Sequence, residues 1–275
     1  MEETTTKPSG GTPLSEPLLA LKGFSKSFGP VEALKDVDFE LYPGEVVALV
    51  GDNGAGKSTL IKAVAGVQPA DEGTAEFEGH PVEFNSPQSA TKLGIATVYQ
   101  DLALCENLDV VANLFLGQET VNGGPHVLDE TAMEQKSEEL LASLGVTTLR
   151  SVRSEVERLS GGQRQAVAIA RSLLGDPKLV ILDEPTAALG VVQTHQILEL
   201  IKRLKHRGLG VIVISHNLAN IFQVADRITV LRLGRMVGSF DRKKSSREEI
   251  VAAITGADFE SEDGPPERPT EEAPL

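Results

Sequence analysis

VVALVGDNGAGKST, residues 46–59, decides how this chain is read. The first five residues are an unbroken apolar run, the pattern of a strand buried on both faces. Three glycines then fall within six positions, Gly51, Gly54 and Gly56, followed by Lys57, Ser58 and Thr59. The spacing fits G-x-x-x-x-G-K-[ST] between a strand and a helix, the context that gives this motif its meaning. Bare glycine backbone curls so that its N–H groups point inward. Together with the start of a helix from Lys57, those groups form a cradle for phosphate oxygens. Lys57 is expected to reach the β- and γ-phosphates, and Ser58 to ligate Mg²⁺. Asp52, Asn53 and Ala55 complete the loop, and Thr59 follows it.

Three more apolar runs end in chemistry-bearing residues. LVILDEP (179–185) stops at Asp183 and Glu184. Carboxylates where a buried strand ends are costly to desolvate unless a cation or a reacting proton is nearby. Asp183 is expected to hold Mg²⁺ through water, and Glu184 to polarise an attacking water as general base. VIVISHN (211–217) ends at His216, and ATVYQ (96–100) at Gln100. If these strands are parallel, all four ends emerge at one sheet edge. His216 then meets the γ-phosphate, and Gln100 suits a Mg²⁺ or water contact.

The stretch LSGGQ (159–163) has the same ingredients as a phosphate cradle: a hydroxyl on Ser160, the bare backbone of Gly161 and Gly162, and a helix, AVAIARSLL, just beyond. Ser160 as a plain N-cap is the simpler reading, but capping leaves the two glycines unexplained.

Short alternating strands with turn signals come first: LLALKGF, VDFEL, and TAEFEGHPVEF with a turn at Gly-His-Pro. Buried-type strands paired with helices follow, and predict an α/β fold with a parallel-sheet core and an antiparallel β region ahead of it. The helix after the acids has an apolar face of Ile197, Leu198, Ile201 and Leu204, and is expected to stop at Gly208. ITVLRLGRMVGSF (228–240) reads as a hairpin turning near Gly234. Residues 101–165 read as largely helical, a separate lobe. Residues 1–17 and 257–275 are rich in Pro, Glu and other polar residues and read as disordered tails around a domain at 18–256.

The formal net charge is −14, and residues 258–275 carry seven acids against Arg268 alone. No basic stripe of the kind nucleic-acid binding needs is present. No apolar run approaches the ~20 residues of a membrane helix, and the N-terminus has no apolar segment of signal-peptide type. The single cysteine, Cys105, excludes an intrachain disulfide and fits a reducing compartment. The expected location is cytosolic, or docked on a membrane through another protein.

Taken together, GDNGAGKST, Gln100, LSGGQRQ, LVILDEPTAAL and His216 resemble the nucleotide-binding cassette of ABC transporters, over residues 18–256. Gln163 precedes Asp183 by 20 positions and His216 follows it by 33. The resemblance implies a P-loop ATPase that binds Mg-ATP at a head-to-tail dimer interface. It implies that Ser160, Gly161, Gly162 and Gln163 act in trans, on the ATP held by a second cassette, with a homodimer as the simplest pairing. It implies that Phe28, in KSFGPVEAL, stacks on adenine; a packed core aromatic is the competing reading. Residues 94–119 and DEPTAALGV are similar to cassettes of monosaccharide importers of the ribose, xylose and fructose type. That similarity implies a transmembrane permease as direct partner, with its docking groove near Gln100 and residues 101–120. It also implies an extracytoplasmic sugar-binding protein as indirect partner, and a location peripheral to the inner face of the cell membrane. One departure stands out: the loop after the acids reads Ala187-Ala188-Leu189-Gly190, where such cassettes usually have Leu-Asp at its end.

Overall fold

The computed structural model describes residues 16–122 and 127–257. Apart from residues 16, 17 and 257, the two expected tails lie outside the described residues. Ten strands are described: β1 Leu19–Phe28, β2 Val31–Leu41, β3 Val46–Val50, β4 Glu72–Phe77, β5 His80–Val82, β6 Ile95–Val98, β7 Leu179–Asp183, β8 Gly210–Ile214, β9 Arg227–Arg232 and β10 Arg235–Asp241. The helices are α1 Lys57–Val64, α2 Pro87–Lys92, α3 Val110–Phe115, α4 Glu130–Ser143, α5 Gly161–Leu173, α6 Val191–His206, α7 Leu218–Val224 and α8 Arg247–Thr255.

The strands form two sheets. The larger has the order β10-β9-β3-β8-β7-β6, parallel throughout except for the β9–β10 hairpin. The smaller, β2-β1-β4-β5, is antiparallel. VVALV, LVILD and GVIVI read as continuous apolar runs because the large sheet is covered on both faces. Alternate residues of β3 serve opposite cores. Val46, Ala48 and Val50 pack with residues of α5, α6 and α7, including Ile169, Leu204 and Ile221. Val47 and Leu49 pack with α1 and the antiparallel sheet, including Leu60, Ile61, Leu21 and Phe39.

Helix α6 buries Ile197, Leu198, Ile201 and Leu204 and ends as expected. Its C-cap is Arg207, and Gly208 follows in the left-handed region at φ 86°. Two expectations need correcting. The turn between β4 and β5 is Glu78-Gly79, not Gly-His-Pro; both residues have positive φ, and His80 and Pro81 already belong to β5. A proline fits there because β5 is the edge of its sheet. Residues 101–165 hold α3, α4, a short 3-10 turn at Val156–Arg158 and the first residues of α5, joined by long irregular connections. One of these connections is fastened by Asn113, which is fully buried. Its side chain accepts from the Cys105 N–H and donates to the carbonyls of Cys105, Leu108 and Asp109.

Candidate functional site

The parallel strands deliver their C-terminal ends to one edge. A cleft of about 780 Å³ opens there, bordered by Asn53–Thr59, Gln100, Asp183, Glu184 and His216. Gly51 and Asp52 border an adjoining hollow with Asn53 and His216. The phosphate loop is tightly built against the rest of the sheet. A Cβ on Gly51 would lie 2.1 Å from the Leu231 carbonyl oxygen, and one on Gly56 2.5 Å from that of Ala33. Any side chain at either position would force the loop off β2 and β9. Lys57 is the first residue of α1, and its ammonium donates to the carbonyls of Gly51 (2.6 Å) and Asp52 (2.9 Å). It thus lies across the loop it would share with a phosphate. Burial pulls the Lys57 pKa down, against the opposing charges of Glu184, Asp52 and Asp183.

Asp183 closes β7, and burial raises its pKa, with the neighbouring Glu184 charge adding to the effect. Glu184 has φ 48°, a conformation that costs a non-glycine residue about 1–2 kcal/mol. It is pinned there. Its N–H donates to the Ile214 carbonyl (2.9 Å), and its Oε1 accepts from the His216 N–H (3.0 Å). The His216 ring nitrogen Nδ1 lies 2.9 Å from the same oxygen. A carboxylate only accepts, so Nδ1 carries the hydrogen and Nε2 is the ring's open position. The Glu184 side chain is 15% exposed and that of His216 is 77% exposed. A backbone held in a strained region by several contacts is typical of a working site rather than a passive turn.

The LSGGQ signature stretch (159–163) stands elsewhere. Ser160 caps α5 in a reciprocal box: its hydroxyl accepts from the Gln163 N–H (3.3 Å), and its own N–H donates to Gln163 Oε1 (2.8 Å). Gln163 also donates to the Thr148 carbonyl (2.8 Å). None of residues 159–163 borders the phosphate-loop cleft. Ser160 and Gly161 are exposed, whereas Gly162 is buried. A Cβ on Gly162 would lie 2.9 Å from Gln193 Cβ, so its bareness answers first to α6.

Phe28 is not a core aromatic, being 42% exposed at the end of β1. It does not border the cleft, but its pairing partner Val31 does, with Pro30, Glu32, Lys35 and Leu233. Sequence reasoning missed this hairpin tip; the signal was the Gly29-Pro30 turn beside the aromatic.

A family model described as ABC transporter matches residues 34–187, more than half of the chain. The chain belongs to the ABC transporter family. As an ABC cassette it binds and hydrolyses ATP. It is 47% identical over 247 residues to the fructose import ATP-binding protein FrcA of Rhizobium meliloti, covering 88% of this chain and 95% of that one. It is 47% identical over 238 residues to the xylose/arabinose import ATP-binding protein XylG of Sulfolobus acidocaldarius, covering 86% and 94%. Among solved structures it resembles a nucleotide-free ATP-binding cassette from an ABC transporter, with TM-score 0.73, 28% identity, and 87% and 96% of the chains covered. It also resembles the ATP-binding cassette MJ0796 in a dimeric, post-hydrolysis state bound to ADP and Pi, with TM-score 0.68, 26% identity, and 82% and 98% covered.

Burial of the Asp183 carboxylate carries a stability penalty that can be measured. The folded-state pKa of Asp183 is raised, so its charge opposes folding fully above that pKa, and the cost vanishes as pH falls below the ordinary carboxylate value. Asp183→Asn should therefore raise the nucleotide-free melting temperature at neutral pH by about 2–4 °C. The gain should shrink on acidification. A variant no more stable than wild type at pH 7 would remove this reading of Asp183.

Proposed function

We propose that this cassette is the ATP-hydrolysing subunit of an importer of a small carbohydrate, and that its reaction centre is completed by a second cassette. Lys57 and the amides of residues 51–59 hold the phosphates, with Phe28 near the base at the hairpin tip. Ser58, Gln100 and Asp183 offer oxygen donors suited to Mg²⁺, which keeps some of its waters and takes phosphate oxygens as further ligands. Among the described residues no cluster of three or more His, Cys, Asp or Glu could hold a metal without a ligand's help. When bound, Mg²⁺ neutralises charge on the transferring phosphoryl group. Glu184 takes a proton from the attacking water. His216 orients Glu184 through Nδ1 and presents Nε2 toward the γ-phosphate.

One observation carries the composite centre. Ser160, Gly161, Gly162 and Gln163 form a second anion-suited helix start, yet none of them borders the chain's own phosphate cleft. Ser160 and Gly161 are exposed and free to close on the γ-phosphate of another copy, with Gly162 and Gln163 shaping the helix start behind them, and the dimeric form of MJ0796 supports such a pairing. Val191 and Val192, 89% and 72% exposed at the head of α6, supply apolar surface for it. ATP then joins two cassettes and hydrolysis releases them.

The carbohydrate assignment is supported by the names of FrcA and XylG. A groove of about 430 Å³, lined by Tyr99, Asp101, Leu102, Ala103, Leu116 and Arg171 among others, lies where a permease segment would dock. No helix among the described residues is long and apolar enough to cross a membrane, so attachment to the inner face of the membrane would run through that permease. A sugar-binding protein outside would act only through the permease. Action on nucleic acid finds no support in a chain of net charge −14.

The reading is tested by the concentration dependence of turnover. Hydrolysis per molecule should rise steeply with cassette concentration at saturating Mg-ATP. A rate per molecule that stays constant on dilution to strictly monomeric protein would overturn the composite centre. Copurification with a permease, and sugar uptake that depends on the pair, test the transport assignment.

A further inference from the structure

The loop leaving Glu184 ends at Gly190, the N-cap of α6, which has no side chain with which to cap the helix. Gln193 supplies the reciprocal half of a capping box: its Oε1 accepts the Gly190 N–H at 3.2 Å. The stem of the same side chain lies against α5. A Cβ on Gly162 would be 2.9 Å from Gln193 Cβ and 3.1 Å from its Cγ, and a Cβ on Gly161 would be 3.1 Å from Leu189 Cδ2. Residues 183–190 and residues 160–162 of one chain therefore meet tightly at Gln193, whose Cβ leaves no room for a methyl group on Gly162, and more loosely at the flexible end of Leu189. A displacement of one element has to be passed on to the other, because close-packed groups shift together.

We propose that Gln193 is a positioning residue that couples the two ATP centres of the dimer through the interior of each chain. The inference rests on the composite centre argued above. On that reading, Asp183 and Glu184 serve the chain's own ATP, and Ser160–Gly162 serve the partner's. The two half-sites are joined within each chain by one amide and one methylene stem. The Ala188 backbone at φ 56° makes the loop a segment with a defined, unusual shape that must be held from outside. Gln193 holds it at Gly190 and bears on Gly162 with the same side chain.

The test is the ATP dependence of steady-state hydrolysis by the full chain, measured with melting temperature for wild type, Gln193→Ala and Gln193→Glu. Two coupled centres give the wild type a Hill coefficient approaching about 2, and Gln193→Ala should bring it to about 1. Gln193→Glu keeps both the acceptor oxygen and the stem and should retain the wild-type value. A purely structural cap would lower the melting temperature in Gln193→Ala and leave the Hill coefficient in place; that result overturns the proposal. A wild-type coefficient of 1, with turnover per molecule still rising with concentration, also overturns it while sparing the composite centre. Turnover per molecule independent of concentration removes the composite centre itself, and the proposal with it.

Discussion

Glu184→Gln is expected to lower ATP hydrolysis by about 10²–10⁴-fold, the range a general base contributes, while nucleotide binding survives. The substitution is nearly isosteric. Glutamine keeps a carbonyl oxygen for the His216 N–H that now donates to Glu184 Oε1, so the strained backbone at this position keeps its anchor. What is lost is the basic oxygen that would take the water's proton. With hydrolysis stopped and binding intact, the closed form should accumulate, and size-exclusion chromatography with Mg-ATP should show a dimer that wild type forms only transiently. Turnover near the wild-type rate would place the general base elsewhere.

The second large effect is expected at Gly161→Asp. Gly161 is the first residue of α5 and exposed, and a new Cβ there meets only the flexible end of Leu189. An acid in the first turn of a helix is favourable by about 0.3–1 kcal/mol, so the variant should fold at least as well as wild type. The same charge would sit where the signature stretch meets a partner's γ-phosphate. The expected loss is about 10²–10³-fold in kcat, comparable to removing a donor from a charge-stabilising site. ATP binding to the variant's own phosphate loop should be unaffected, because residues 159–163 do not border that cleft. A fluorescent-nucleotide titration checks the binding and a phosphate-release assay the rate. An unchanged kcat would mean that the stretch has no role beyond capping α5.

Much of this could be read from the sequence where one force dominates locally. VVALV, LVILD and VIVIS announce parallel strands because burial on both faces leaves no room for alternation, and their ends then place Lys57, Asp183, Glu184 and His216 at one edge by topology alone. The Gly208 stop of α6 and the turn at Gly234 are legible because each needs a left-handed residue. What stayed hidden depends on contacts between distant segments. Val31 and Lys35 border the cleft because the antiparallel sheet folds over the phosphate loop, and Leu233 because the β9–β10 turn reaches it; nothing in their local pattern says so. Pro81 suggested a turn because proline often marks one, yet the edge of a sheet tolerates it equally well. The bare backbone of Gly162 points to a ligand in sequence, whereas its buried face meets Gln193, 31 residues later on α6. The 101–165 stretch is less helical than its composition suggests, because side-chain clamps such as Asn113 hold irregular backbone that propensity does not describe.

The most direct measurement mixes two defective chains. Lys57→Ala spoils the phosphate loop and keeps the signature stretch; Gly161→Asp does the reverse. Each alone should be inactive. Together they should recover up to about a quarter of the wild-type rate, since random pairing makes half of the dimers mixed and each mixed dimer has one intact centre. A mixture no faster than the sum of its two parents would contradict the claim that each centre is shared between two chains.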